Sequence, residues 1–196
     1  MINCVDNMCR FIYSNLRKLS DQLDRGKVIF YPTESVFGLG CNPDNEQAIR
    51  ILLNIKNRSW EKGLILVAAD YIQLLKYIDD SCLNIKQRLR VFSTWPGPIT
   101  WVFPARSDTP YWLTGKFSSI AVRVSNFEPI RQLCLLFGKP LVSTSANVSG
   151  FLPVRTIKEI YAQFGLIDLP VMNENVLGLA NPSEIRDSIT GEVIRK

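Results

Sequence analysis

A chain of 196 residues that is 46% hydrophobic and 21% charged is long enough to bury a core of its own, and it is expected to form one domain over 1–196. It contains no histidine, which excludes Ser-His-Asp and Cys-His hydrolases, histidine-ligated zinc sites and histidine general bases; any chemistry runs on cations, hydroxyls, amides and backbone N–H groups. The net charge of +5 suits a polyanionic ligand, and five scattered cysteines without a C-x-x-C spacing read as reduced thiols rather than metal ligands.

No run of about eighteen apolar residues occurs, so no membrane span is expected. The opening MINCVDNMCRFIYSNLRK lacks an apolar h-region, which argues against a secretory signal and for a cytoplasmic protein.

Leu16, Leu19 and Leu23 share a helical face, and Gly26 follows as a C-cap, so about 14–25 reads as an amphipathic helix. KVIFYP (27–32) is a short buried strand. Asp44 to Lys56 reads as a helix, with Asp44 and Gln47 at capping-box spacing and Ile51, Leu52 and Ile55 on one face. LILVAA (64–69) has the unbroken apolar pattern of a central strand covered on both faces. Helices are expected over about 70–78 and 83–93, then strands at ITWVFP (99–104) and IAVRV (120–124) around the WPGP break. Pro129 suits the first turn of a helix ending near Gly138, PLVST (140–144) is a strand, and Thr156 with Glu159 caps a helix that stops before Gly165. Extended pieces near 169–172 and 184–195 close the chain. Strands alternating with helices imply an α/β architecture around a twisted mixed sheet.

Four polar clusters fall at the ends of these elements, where ligands gather in such sheets. In YPTESVFGLG (31–40), Thr33, Glu34 and Ser35 suit a small polar substrate, and Gly38 and Gly40 let backbone approach a ligand; a glycine-bearing turn with Thr-type hydrogen bonds is the plainer reading. Lys56 and Arg58 end a helix and serve either its dipole or a phosphate. Arg123 stands alone among apolar residues, so it needs a carboxylate or phosphate partner unless its strand is an exposed edge. KPLVSTSANVSG (139–150) crowds Ser143, Thr144, Ser145, Asn147 and Ser149 into one turn without an acid, which suits a neutral anion-binding concavity or a ligand-free hydrogen-bonded turn. Together these parts fit nucleotidyl transfer, which needs positioned cations and donors rather than a histidine base.

In order and spacing, YPTESVFGLG, K-x-R at 56–58, WPGPIT, AVRV, PLVSTSANVSG and NPSEIRD resemble the YrdC/TsaC family of threonylcarbamoyl-AMP synthases, in its short single-domain bacterial branch. The resemblance runs from the first strand to Arg195. It implies a three-layer YrdC-like fold, a twisted mixed sheet flanked by helices, with a concave basic surface. It also implies conversion of ATP, L-threonine and bicarbonate to L-threonylcarbamoyl-AMP and pyrophosphate, with Mg2+ brought by the ATP phosphates and no metal site in the protein. That product feeds N6-threonylcarbamoylation of tRNA adenosine 37, with the TsaB, TsaD and TsaE proteins as downstream partners.

Carried over by motif, Thr33, Ser143 and Ser183 hold threonine, while Lys56 and Arg58 grip the phosphates and the carbamate as catalytic residues. Arg123, Ser145, Asn147 and Arg195 contact the nucleotide. The chain departs from the pattern at Ser59, where relatives often have proline, and at Glu184, where they often have threonine. An RNA-binding module without catalysis is the rival, since KQRLR (86–90) and other basic residues suit RNA, although no RNP-type signature occurs.

Overall fold

Period-two alternation along the strands gives the sheet two chemically different faces, and that difference places the site. The computed structural model describes residues 14–165, 168–179 and 183–196. Cys4, Cys9 and Arg10, and Asn181 and Pro182 at the head of NPSEIRD, lie outside the described residues.

Eight strands form one sheet: β1 (Ile29–Pro32), β2 (Phe37–Gly40), β3 (Ile65–Ala68), β4 (Thr100–Pro104), β5 (Ser119–Val124), β6 (Leu141–Ser145), β7 (Ile185–Asp187) and β8 (Val193–Arg195). Their spatial order is β1-β2-β6-β3-β5-β4-β7-β8. The sheet is mixed: β3 runs parallel to β5 and β4 to β7, while the other neighbours are antiparallel. The helices are α1 (14–24), α2 (Glu46–Lys56), α3 (Ile85–Phe92), the short α4 (Tyr111–Thr114), α5 (Glu128–Phe137) and α6 (Ile157–Phe164). Among the described residues no helix is long and apolar enough to cross a membrane.

On one face, Ala48, Ile49 and Leu52 of α2, Val91 of α3 and Ile160 of α6 pack with Phe30, Leu39, Leu66, Val122 and Val142. On the other, Leu16, Leu19 and Leu23 of α1 and Ile130, Leu133 and Phe137 of α5 pack with Ile29, Tyr31, Val67 and Leu141. The result is the expected three-layer α/β sandwich. Because alternate residues point to opposite faces, Arg123, Ser143 and Ser145 share the face of Val67 and Leu141, beyond the stretch that α1 and α5 cover.

Several expected elements take a different form. FGLG is the strand β2, not a turn; the Tyr31 ring lies over both its glycines, and Gly38 also lines the cleft of the candidate site, while a Cβ at Gly40 would lie 2.6 Å from both Tyr31 Cε1 and the Val142 carbonyl oxygen. Asn45, not Asp44, caps α2, its side chain accepting from the Ala48 N–H. Asp44 instead accepts from Lys76 at 2.7 Å, Tyr77 at 2.9 Å and Lys139 at 3.0 Å. Burial raises its pKa, but these bonds outweigh that and hold the carboxyl below its ordinary range. The buried stripe of α2 is Ala48, Ile49, Leu52, Leu53 and Lys56, and Ile51 is exposed. Residues 70–78 form only a 3-10 turn at Ile72–Leu74, too short for the helix expected there. At α6 the Thr156 cap holds, but Glu159 reaches the Arg155 N–H instead of closing a capping box.

Gly40 supplies a test of the sheet. The Val142 carbonyl belongs to the neighbouring strand and cannot yield without breaking the ladder. Gly40→Ala should cost about 1–3 kcal/mol by overpacking and lower the melting temperature by roughly 3–10 °C. Calorimetry giving an unchanged melting temperature would show that the Tyr31 ring and β6 can part without loss.

Candidate functional site

The uncovered face of β5, β3 and β6 floors a cleft of about 370 Å³. Of the nine residues expected at the site, Thr33, Arg58, Arg123, Ser143, Ser145, Ser183 and Arg195 line it. Lys56 and Asn147 are not on its wall; they hold Ser145 in place.

Arg123 has the carboxylate partner its burial demanded. Its Nη1 donates to Glu34 Oε2 at 3.0 Å, and Ser125 Oγ donates to Glu34 Oε1 at 2.8 Å. The two charged side chains are only 8% and 5% exposed, so removing either would strand the other, a loss of about 3–5 kcal/mol.

Arg58 leaves the end of α2 after Asn57, which sits in the left-handed region at φ 47°. One of its guanidinium nitrogens donates to the Gly63 carbonyl at 3.0 Å, and Nε is buried without a partner. Burial, and then the nearby charge of Arg195, lower its pKa. Arg195 comes from β8, donates to the Ser183 carbonyl at 2.9 Å and is likewise lowered by burial. Neither arginine has a carboxylate partner within salt-bridge distance among the described residues, so both keep donor capacity for an anion.

Lys56, expected to serve the helix dipole or a phosphate, is only 3% exposed and its ammonium is turned to the loop after β6. Its ammonium donates to the Ser145 carbonyl, to the Asn147 carbonyl at 2.7 Å and to Asn147 Oδ1 at 3.2 Å. The Lys56 carbonyl in turn accepts from Ser149 N and Oγ, both at 2.9 Å. One residue thus clamps the 145–149 loop from its backbone and its side chain. The crowd of hydroxyls and amides there is engaged mostly within the loop: Ser145 Oγ donates to Asn147 Oδ1 at 2.6 Å, and the Asn147 amide donates to Val148 O and Phe151 O. Thr33 behaves similarly, donating to Val36 O at 2.7 Å, while Ser183 shares a 3.0 Å bond with Thr100.

Beyond the expected residues, Glu34 anchors Arg123, and Ile65, Pro98, Ile99, Pro153 and Leu179 give the cleft its apolar wall. Pro98 and Ile99 fall in WPGPIT, and Glu34 in YPTESVFGLG, so both motifs carried a signal. Glu184 also lines the cleft, held by an ion pair to Arg186.

A family model for Sua5/YciO/YrdC, described as "Telomere recombination", matches residues 21–196. The chain belongs to the Sua5/YciO/YrdC family. Within that family it is 72% identical over 187 residues to a protein of Blochmanniella floridana named threonylcarbamoyl-AMP synthase, covering 94% of this chain and 98% of that one. It is 61% identical over 174 residues to a Yersinia pestis protein of the same name, covering 89% and 91%. Among solved structures, P. abyssi Sua5 complexed with L-threonine superposes with a TM-score of 0.79 at 26% identity. That match takes in 88% of this chain and 50% of the Sua5 chain, so this protein spans about half the length of that relative.

Lys56 yields a pH test. Burial, with the charge of Arg58 adding, pushes its ammonium down to about 8, against the three oxygens that hold the proton on. Below about pH 8 both the folded and the unfolded chain carry this proton, and the penalty of the buried charge is fully present. Between about 8 and the ordinary lysine value of 10.5, the unfolded chain binds more protons than the folded one, so stability rises with pH. Wild-type stability minus that of Lys56→Met, from urea melts, should therefore rise across that window. A flat difference would mean that the ammonium keeps its proton throughout.

Proposed function

We propose that this protein is a threonylcarbamoyl-AMP synthase, converting MgATP, L-threonine and bicarbonate to L-threonylcarbamoyl-AMP and pyrophosphate. The observation that carries the reading is the convergence of Arg58, Arg123 and Arg195 on one cleft walled by hydroxyls, in a chain so similar to proteins of that name. Glu34 neutralises Arg123 and Arg186 neutralises Glu184, which leaves the cleft net positive. Such a cleft favours a polyanionic substrate.

The threonine amine and bicarbonate combine to a carbamate with loss of water. A carbamate oxygen then attacks the α-phosphorus of ATP, the bond to the bridging oxygen breaks, and pyrophosphate leaves with the electron pair. Arg58 and Arg195, partly desolvated, donate to the charge that builds on the phosphoryl oxygens. Arg123 is held rigid by Glu34 and with Ser145 faces the nucleotide. Lys56 and Asn147 keep Ser145 and its neighbours in position during the step. Ser143 and Ser183 offer hydroxyls to threonine, and Thr33 shapes the turn beside them. The product serves tRNA adenosine 37 modification in the cytoplasm, handed to TsaB, TsaD and TsaE-type proteins.

Mass spectrometry of the product from ATP, threonine and labelled bicarbonate tests the reaction as a whole. The label should appear in a threonylcarbamoyl adenylate, and pyrophosphate should form only when all three substrates are present. Salt-sensitive RNA binding with no pyrophosphate release would replace the enzyme by a binding module.

Arg58→Ala should cut pyrophosphate release by at least about a hundredfold, the usual loss for one preorganised donor to developing charge. Arg58→Lys should recover little, because an ammonium does not reproduce a planar fork. Near-normal turnover of a folded Arg58→Ala protein would return this residue to a helix-end role.

A site that bonds a substrate hydroxyl should also prefer threonine over valine by orders of magnitude, since valine leaves those groups unpaired. Serine should fall between them. Competition assays in which valine matches threonine would remove the hydroxyl contacts from the proposal.

A further inference from the structure

Tyr31 is fully buried, yet its hydroxyl has no hydrogen-bond partner of ordinary geometry. Buried polar groups are almost always paired, so an orphan calls for an explanation. The ring packs on the sheet face shared by α1 and α5, the face that carries the cleft. Tyr31 pairs with Gly38 across β1 and β2, and Gly38 pairs with Ser145 across β2 and β6.

The two glycines of β2 are what let the side chain reach this far. A Cβ at Gly38 would lie 3.2 Å from the Tyr31 hydroxyl oxygen, and one at Gly40 would overlap the ring. With no side chains in the way, the tyrosine lies across β2 and brings its hydroxyl toward β6. Ser143 projects from the same face of β6, is almost buried and lines the cleft. Its side chain is close enough to influence that hydroxyl, though no well-formed hydrogen bond joins the two, and the Arg123 and Glu34 charges are also felt there. Burial raises the phenol far above the ordinary tyrosine range, so it remains a donor at any working pH.

We propose that Tyr31 is a positioning residue: its buried hydroxyl donates to Ser143 Oγ when substrate binds, so that the single Ser143 proton is directed into the cleft toward an acceptor on threonine. This rests on the reading of the cleft as a threonine site given above. A phenylalanine would fill the same space over Gly38 and Gly40 without an unpaired hydroxyl, so packing does not account for the oxygen. A serine hydroxyl has one proton and rotates freely. A donor behind it turns it from an undirected group into a donor aimed at ligand.

Wild type and Tyr31→Phe, both as the full chain, separate this role from a structural one. Without substrate, Tyr31→Phe should melt at or slightly above wild type, because the orphan hydroxyl is gone and the ring remains. In pyrophosphate release, its KM for threonine should rise about tenfold, the value of one hydrogen bond, with kcat and the KM for ATP little changed. The melting shift produced by threonine should shrink in parallel. In a Ser143→Ala background, Tyr31→Phe should add no further loss, since it acts only through Ser143.

A Tyr31→Phe protein that melts well below wild type without substrate would make the hydroxyl structural and overturn the inference. So would an unchanged threonine KM, or losses that simply add in the double variant. A wild type that shows neither threonine-dependent pyrophosphate release nor a threonine melting shift would overturn the substrate reading, and this inference with it. An active wild type beside an unaltered Tyr31→Phe would overturn this inference alone.

Discussion

The buried pair of Arg123 and Glu34 ties together parts of the sheet that do not touch. Arg123 belongs to β5, Glu34 to the turn between β1 and β2, and both β6 and β3 lie between these elements. A guanidinium this deeply buried is tolerated only beside a carboxylate, so the pair fixes the turn above the cleft floor. Ser125 occupies the second carboxylate oxygen and removes the freedom of Glu34 to turn away. The turn can then present Thr33 and Ser35 to the same cleft that β6 lines with Ser143 and Ser145.

Around that brace the cleft gathers more positive charge than its acids neutralise. Arg58 and Arg195 are partly desolvated and lowered in pKa, a condition that an arriving polyanion relieves. These guanidiniums share the cleft wall with the hydroxyls of β6. The Lys56 clamp adds rigidity, because the 145–149 loop is held by an ammonium on one side and a carbonyl on the other. An ammonium with backbone oxygens for partners is costly to bury. The loop geometry depends on keeping that ammonium in place.

Strand and helix positions were largely legible because their signals are local. Apolar runs such as LILVAA, the Gly26 and Gly138 helix ends and the Thr156 cap each act within a few residues. FGLG was less legible, because glycine opposes strand formation by itself, and β2 is held by pairing with β1 and β6 and by the Tyr31 ring that lies over its glycines. Over residues 70–78 Asp70 accepts from the Gln73 N–H as a helix cap would, yet only one 3-10 turn, Ile72–Leu74, follows.

By itself, the sequence determined the α/β class, the buried faces, and the need of Arg123 for an opposite charge. It also determined the family, because motif order and spacing persist from the first strand to Arg195, within the matched residues 21–196. Which charge answers Arg123 was a tertiary decision, since Glu34 is 89 positions away and only strand order brings the two within 3.0 Å. The role of Lys56 was decided the same way: nothing local distinguishes a lysine facing solvent from one pinned under a loop 89 to 91 positions further on. Hydrogen bonds and ion pairs depend on ångström distances between remote segments, whereas periodicity and capping depend on neighbours a few residues apart.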